Sequence, residues 1–241
     1  MSEGDDHGHD EYARARHAVA ERLRALGLDV RYVRGRGDTL VRDDGREVLD
    51  FAGGFGTTLF GHNHPKLVAA LRQALDEERP FSSQMSWRDQ AARLSLALGA
   101  RIARDQGHEP RVLLYSTGAE AVEAALTWAL ADYAARAGAA GQLAAPPVVI
   151  GVEGGYHGRS AGAASVSARL AGDLGARALQ LQTRFCPRND VAMLEAWCEE
   201  LTVDGHCRVA AVIVEPVQGE GGVFPLEGAF LASIRRVADA R

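Results

Sequence analysis

The sequence predicts an α/β fold with a mostly parallel sheet covered by helices on both faces. Three observations carry that expectation. Beyond Gly107, short apolar runs alternate with longer segments of helical period, the pattern of strand–helix units. Each apolar run is followed by a polar, glycine-rich segment, as at the strand ends where parallel sheets bind ligands. Composition is that of a globular chain, with 46% hydrophobic and 24% charged residues in 241.

The elements follow in order. Residues 1–10 read as a frayed acidic tail, with His7 and His9 exposed rather than metal-bound. From Glu11 to Leu26, Tyr12, Ala15, Val19, Leu23 and Leu26 recur at helical spacing, and Gly27 is placed to end the helix. Thr39–Arg42 and Glu47–Phe51 flank Asp43-Asp44-Gly45, which reads as a β-hairpin turn. A glycine-rich loop runs from Gly53 to Asn63. Pro65 then suits the first position of a helix continuing through Leu75. Ser86 and Asp89 read as a capping box opening a helix from Trp87 to Gln106. Arg111–Tyr115 reads as a buried strand and Gly118–Arg136 as an alanine-rich helix, followed by an Ala/Gly linker at 137–145. Pro147–Val152 is a second strand. Asp190–Leu201 is a helix with Asn189 as its N-cap, Val209–Val214 a third strand, and Gly228–Ala240 a last helix. That helix would ordinarily feed another parallel strand, so the chain is expected to be part of a larger fold or half of an assembly.

Charge and cysteine usage exclude several classes. A net charge of −5 gives no bulk attraction to nucleic acid or to an anionic membrane. Cys186, Cys198 and Cys207 make no C-x-x-C pair, and reduced thiols in a cytoplasmic protein are expected. The first thirty residues lack the apolar core of a signal peptide, and no uncharged run has the length of a membrane span. Of the 27 basic side chains only Lys66 is a lysine, so any chemistry needing a lysine amine has a single candidate.

Candidate chemistry lies in three segments. In Val112-Leu-Leu-Tyr-Ser-Thr-Gly-Ala-Glu, a run enters a helix through Thr117, Gly118 and Ala119. Amides at a helix start lack helical partners and face the positive end of the dipole, an arrangement suited to phosphate or to a plain N-cap. Neither G-x-x-x-x-G-K-S/T nor G-x-G-x-x-G is present. Glu153–Ser160 offers the flat ring of Tyr156 and the guanidinium fork of Arg159. Glu215–Gly222 places Glu215 and Glu220 among glycines. Gly158-Arg-Ser160-Ala-Gly162 also fits G-x-S-x-G, with Asp190, Asp204 and His206 downstream; a serine hydrolase at Ser160 is a remote alternative, since seven residues separate Ser160 from Val152.

Four motifs occur together: D-G-R-E-V-L-D-F with G-H-N-H-P-K, S-T-G-A-E-A-V-E-A-A-L, G-Y-H-G-R, and V-E-P-V-Q-G-E-G-G. In order and spacing the chain resembles the N-terminal part of the class III pyridoxal-phosphate-dependent aminotransferases, which share the aspartate-aminotransferase-like fold. The resemblance implies residues 11–64 as an N-terminal segment of a small domain and 65–241 as the first part of a large cofactor-binding domain. It implies pyridoxal phosphate held by Thr117, Gly118 and Ala119 at its phosphate, and by Tyr156, His157 and Glu215 around its ring. Phe55, Gly56, Arg159 and Glu220 match substrate-side positions, and Arg159 with Glu220 hints at an ω-amino or N-acylated diamino acid as donor. The acceptor is a 2-oxo acid. His62 and His64 are structural in this pattern, not a zinc pair.

The family's Schiff-base lysine and ring-nitrogen aspartate follow the last motif and are not among these residues, while Lys66 belongs to a helix start away from the cofactor. The resemblance therefore implies a homodimer of a truncated enzyme, one half of a split enzyme completed by a C-terminal polypeptide, or a non-catalytic binding or dimerising remnant. The motifs do not separate transaminases from decarboxylating or isomerising relatives.

Overall fold

The computed structural model describes residues 20–21, 23–80, 85–108, 110–139, 145–168, 170, 181–203 and 205–240. The acidic tail, most of the first helix and most of the Ala/Gly linker lie outside the described residues. The chain divides into two compact units, residues 1–87 and 88–241.

In the first unit, β1 (Tyr32–Arg36), β2 (Thr39–Arg42) and β3 (Glu47–Leu49) form an antiparallel meander in that order. The β2–β3 turn closes through the Gly45 amide donating to the Arg42 carbonyl, with Gly45 at φ 85 as the Asp-Gly pair requires. The strand expected to reach Phe51 stops at Leu49. Asp50 instead turns its carboxylate back to accept the amides of Ala52 and Gly53, which bends the chain out of the ladder. The other Asp50 oxygen lies 2.7 Å from His62 Nε2. That hydrogen bond first, and the Gly53 amide next, hold the Asp50 carboxyl below the usual range. His62 is thus a strut, and among the described residues no cluster of three potential metal ligands exists. Helix α1 (Pro65–Asp76) starts at its proline, as expected.

The second unit holds the parallel sheet. Helix α2 (Asp89–Gln106) ends at Gly107, whose φ of 73 provides a left-handed cap. It begins at Asp89, two residues later than the expected Trp87, and Arg88 at its cap makes no side-chain capping bond. Helix α3 (Gly118–Ala139) follows. The sheet is β4 (Val148–Val152), β5 (Gln182–Cys186) and β8 (Val209–Val212), in the order β5-β4-β8 with both pairings parallel.

One expected strand is absent and one unexpected strand is present. Arg111–Tyr115 forms no strand: no neighbouring strand lies beside it among the described residues, and Leu113, Leu114 and Tyr115 remain exposed. Gln182–Cys186, a polar run not read as a strand, takes a place in the sheet because β4 offers it a full ladder from Val148↔Gln182 to Val152↔Cys186.

Central β4 is buried along its whole length. Side chains alternate across it. Ile150 and Val152 face Cys186, Leu194, Cys198 and Phe230, beneath α5 (Val191–Glu200) and α6 (Gly228–Asp239). Val149 faces Leu126 of α3 and Val166, which follows the short helix α4 (Ala161–Ser165), on the opposite side. Burial of a side chain such as Ile150 or Phe230 contributes about 1.5–3 kcal/mol, so this two-sided cover fixes the register of β4. The N-cap of α5 is Asp190, whose carboxylate accepts the Met193 amide at 2.8 Å. Asn189, the expected cap, sits at φ 62 and exchanges hydrogen bonds with Glu227 at the start of α6. Asp190 wins because it stands one residue nearer the helix, three before the orphan amide. A hairpin of β6 (Thr202–Val203) and β7 (His206–Cys207) precedes β8, and β9 (Val217–Gln218) pairs with β10 (Phe224–Pro225) beyond it. All three cysteines are buried thiols, and burial pushes the Cys186 thiol up to about 11. No helix among the described residues is long and apolar enough to cross a membrane.

Candidate active site

Parallel pairing places the ends of β4 and β8 side by side, and the segments that follow them are tied together by side chains. Glu215 forms the tie expected least from sequence. One carboxylate oxygen accepts the Tyr156 amide at 2.8 Å and the other accepts the Gly219 amide at 3.2 Å. Gln218, fully buried, donates through Nε2 to the Glu153 carbonyl at 2.8 Å. Its Oε1 has no partner among the described residues. A β-carbon on Gly154, at φ 80, would stand 2.9 Å from that oxygen, so only glycine fits there.

The start of α3 joins the same edge. Thr117 and Glu120 form a reciprocal capping box: the Thr117 amide donates to the Glu120 carboxylate at 2.8 Å, and the Glu120 amide to Thr117 Oγ1 at 3.1 Å. The Gly118 and Ala119 amides precede the first intrahelical bond and stand at the positive end of the helix. Ala119 packs on Gly158. A β-carbon at Gly158, whose φ is 130, would come within 2.9 Å of Ala119 Cβ and 3.0 Å of Ala163 Cβ. This contact, and not a strand at 111–115, brings the helix start to the Tyr156 loop.

His157 is half-buried. Its amide donates to Ser167 Oγ at 2.8 Å, while its Nε2 is buried without a partner among the described residues. Burial lowers the His157 pKa from its usual value, and the nearby Glu215 carboxylate partly opposes that shift. As pH falls, the unfolded chain therefore takes up this proton before the folded one. The stability held by neutral His157 is complete above about pH 6.5 and is lost as pH falls through its lower folded pKa. Urea midpoints measured between pH 8 and pH 5 are expected to drop, and His157→Gln to flatten that drop.

Arg159 and Glu220 are exposed and have no hydrogen-bond or ion-pair partner among the described residues. Phe55 and Gly56 lie on the first unit, in a turn where both take positive φ, and Phe55 is 92% exposed. Ser160 and His206 fall at opposite edges of the sheet: Ser160 follows the carboxyl end of β4, and His206 precedes the amino end of its parallel neighbour β8. Sequence reasoning missed Gln218, Ser167 and Glu123. Glu123 was detectable in principle, since it lies four residues after Ala119 and hence on the same helical face.

Residues 22–241 match the family model described as aminotransferase class-III. The chain belongs to the class III aminotransferase family. The acetylornithine aminotransferase of Xylella fastidiosa is 34% identical over 211 residues, which cover 86% of this chain and 47% of that protein. The ornithine aminotransferase of Toxoplasma gondii has the same fold, with a TM-score of 0.74 and 27% identity, over 96% of this chain and 51% of that one. An amine transaminase from an uncultivated Pseudomonas species, solved in a PLP-bound form, gives a TM-score of 0.72 at 26% identity, over 88% and 50%. This class III chain thus spans about half the length of the relatives it matches, with the α/β fold expected of an aminotransferase. In class III terms, α3, the Tyr156 loop and the Glu215 loop converge at one sheet edge.

Proposed function

We propose that this chain forms the cofactor-anchoring part of an aminotransferase that moves an amino group from an amine or amino acid to a 2-oxo acid. Pyridoxal phosphate is its cofactor. The observation that carries this reading is the convergence just described: Ala119 closes on Gly158 while Glu215 holds the Tyr156 amide. The donor set suits the cofactor. Two helix-start amides, of Gly118 and Ala119, await an anion; Tyr156 supplies a ring face; and His157 keeps a buried, unpartnered Nε2. Gly155 leaves no room for a β-carbon, which would stand 2.9 Å from the Val152 carbonyl and 3.2 Å from His157 Nε2.

When bound, the cofactor supplies an aldehyde and an electron-withdrawing ring that carry the amino group. The chain's own residues bind and orient it. Thr117 is already engaged as a helix cap, so its backbone position matters more than its hydroxyl. Arg159 and Glu220, both exposed, are available for the carboxylate and the distal group of a donor. An ω-amino or N-acylated diamino acid fits that pair, and relatives named as acetylornithine and ornithine aminotransferases support a donor of this kind. The reading includes a dimer in which Phe55 and Gly56 serve the substrate side, a small-domain role for residues 11–64, and a cytoplasmic location. It assigns this chain no tethering amine: Lys66 stands exposed at the start of α1, in the G-H-N-H-P-K pattern that carries no such role in the family resemblance. A complementing polypeptide is one source of such an amine.

The test is a titration of the purified chain with pyridoxal phosphate and with pyridoxal. The phosphate ester is expected to bind at least about tenfold more tightly, as charge-assisted bonds to the helix-start amides require. Borohydride reduction of the mixture is expected to leave Lys66 unmodified by intact mass. Equal affinities, or a stoichiometric adduct on Lys66, overturn the reading.

A further inference from the structure

Ser160, Gly162 and Glu123 have no role in the site as built so far, yet they meet. Glu123 lies on α3 one turn beyond Ala119, on the same face of the helix. One of its carboxylate oxygens accepts the Gly162 amide at 2.9 Å. Ser160 lines the same cleft as this carboxylate, and its hydroxyl is the largest influence holding Glu123 ionised below the usual carboxyl range, with the Gly162 and Ala163 amides adding to it. The fit is close: a β-carbon on Gly162 would stand 2.6 Å from Glu123 Oε2.

Two contacts one helical turn apart therefore fasten α3 to the segment 158–162, Ala119 at Gly158 and Glu123 at Gly162. Tyr156 and His157 lie just ahead of this fastening. At their other side Glu215 holds the Tyr156 amide. Ser167 completes the frame, accepting the His157 amide and donating to the Ala163 carbonyl at 2.8 Å. A carboxylate on either side thus determines where the Tyr156 ring stands relative to the amides of Gly118 and Ala119.

We propose that Glu123 is a positioning residue, which with Ser160 and Gly162 sets the spacing between the phosphate-binding start of α3 and the ring-stacking loop at Tyr156. Ser160 is then the hydroxyl that locks this carboxylate, not a nucleophile. The proposal deepens the cofactor-binding reading and rests on it for the identity of the ligand.

Its consequence is specific to a ligand that must touch both parts at once. Inorganic phosphate needs only the helix start; pyridoxal phosphate needs the helix start and the loop in register. The experiment uses the 241-residue chain, wild type and with Glu123→Ala, Glu123→Gln and Ser160→Ala. Each is titrated with both ligands, and amide hydrogen exchange is followed across residues 156–163. Loss of a charged acceptor serving several donors is expected to weaken pyridoxal phosphate binding by about 10- to 100-fold in Glu123→Ala, with inorganic phosphate affinity within about twofold of wild type. Glu123→Gln, which keeps an acceptor oxygen, recovers part of the loss, and Ser160→Ala gives a smaller loss. Exchange at residues 158–163 quickens in Glu123→Ala, while the β4 amides stay protected. An equal loss for both ligands marks a general structural defect and overturns the proposal. Unchanged exchange at 158–163 in Glu123→Ala overturns it whatever the ligands do. A wild-type chain that binds neither ligand defeats the cofactor reading instead, and the exchange measurement still decides whether Glu123 holds the loop.

Discussion

Replacing Gly158 with alanine is expected to destabilise the second unit by roughly 2–6 kcal/mol and to abolish cofactor binding. Two costs add. At φ 130 the backbone is in a region that side chains other than glycine's occupy only under strain of about 1–3 kcal/mol. The new methyl also meets Ala119 Cβ at 2.9 Å and Ala163 Cβ at 3.0 Å, and both of those atoms are fixed to helix backbone. No flexible side chain can swing away, so overpacking adds about 1–3 kcal/mol. Relief comes only from moving α3 away from the Tyr156 loop, which separates the helix-start amides from the ring platform. Gly118 is the control. A β-carbon there meets nothing within 4 Å, so Gly118→Ala is expected to leave stability close to wild type. Urea unfolding of both variants, with pyridoxal phosphate titration of each, checks the contrast. A Gly158→Ala chain as stable as wild type that still binds the cofactor would falsify the packing account.

Glu215→Ala is expected to have the next largest effect. The carboxylate serves the Tyr156 amide, which is partly buried, and the Gly219 amide, which is exposed. Alanine leaves the first without an acceptor, at a cost of about 1–3 kcal/mol, while water replaces the second. The Tyr156 loop and the Glu215 loop then lose one of their ties, with Gln218 to Glu153 remaining. The same substitution carries a second, signed effect. Among the described residues, Glu215 is the influence raising the His157 pKa against burial. Without it, His157 is expected to titrate at still lower pH, as read from its ring proton by NMR. Weaker cofactor binding with a downward His157 shift supports the arrangement; an upward shift contradicts it.

Much of this architecture was legible in the sequence because it depends on local geometry. Pro65 marks a helix start through its fixed φ and missing amide, Gly107 a helix end through its left-handed cap, and Gly45 the hairpin turn. The helix at Gly118 and the strands near Val148 and Val209 follow from hydrophobic period. The family motifs then point, by resemblance, to the residues proposed to hold the cofactor. Local cues failed where two nearby residues compete for one role, as Asp190 displaced Asn189 at the α5 cap. They also failed at Ser86, since α2 begins at Asp89.

Strand membership and the ties between loops were decided by tertiary structure alone. Gln182–Cys186 has a polar texture and Arg111–Tyr115 an apolar one, yet the first is paired and the second is not. A ladder needs a partner, and β4 lies more than thirty residues away along the chain. The contacts of Glu123 with Gly162, Glu215 with Tyr156 and Gln218 with Glu153 span 39, 59 and 65 residues. Residue order sets which side chains exist and which turns they favour; only closure of the sheet places an acceptor beside a donor so far away in the chain.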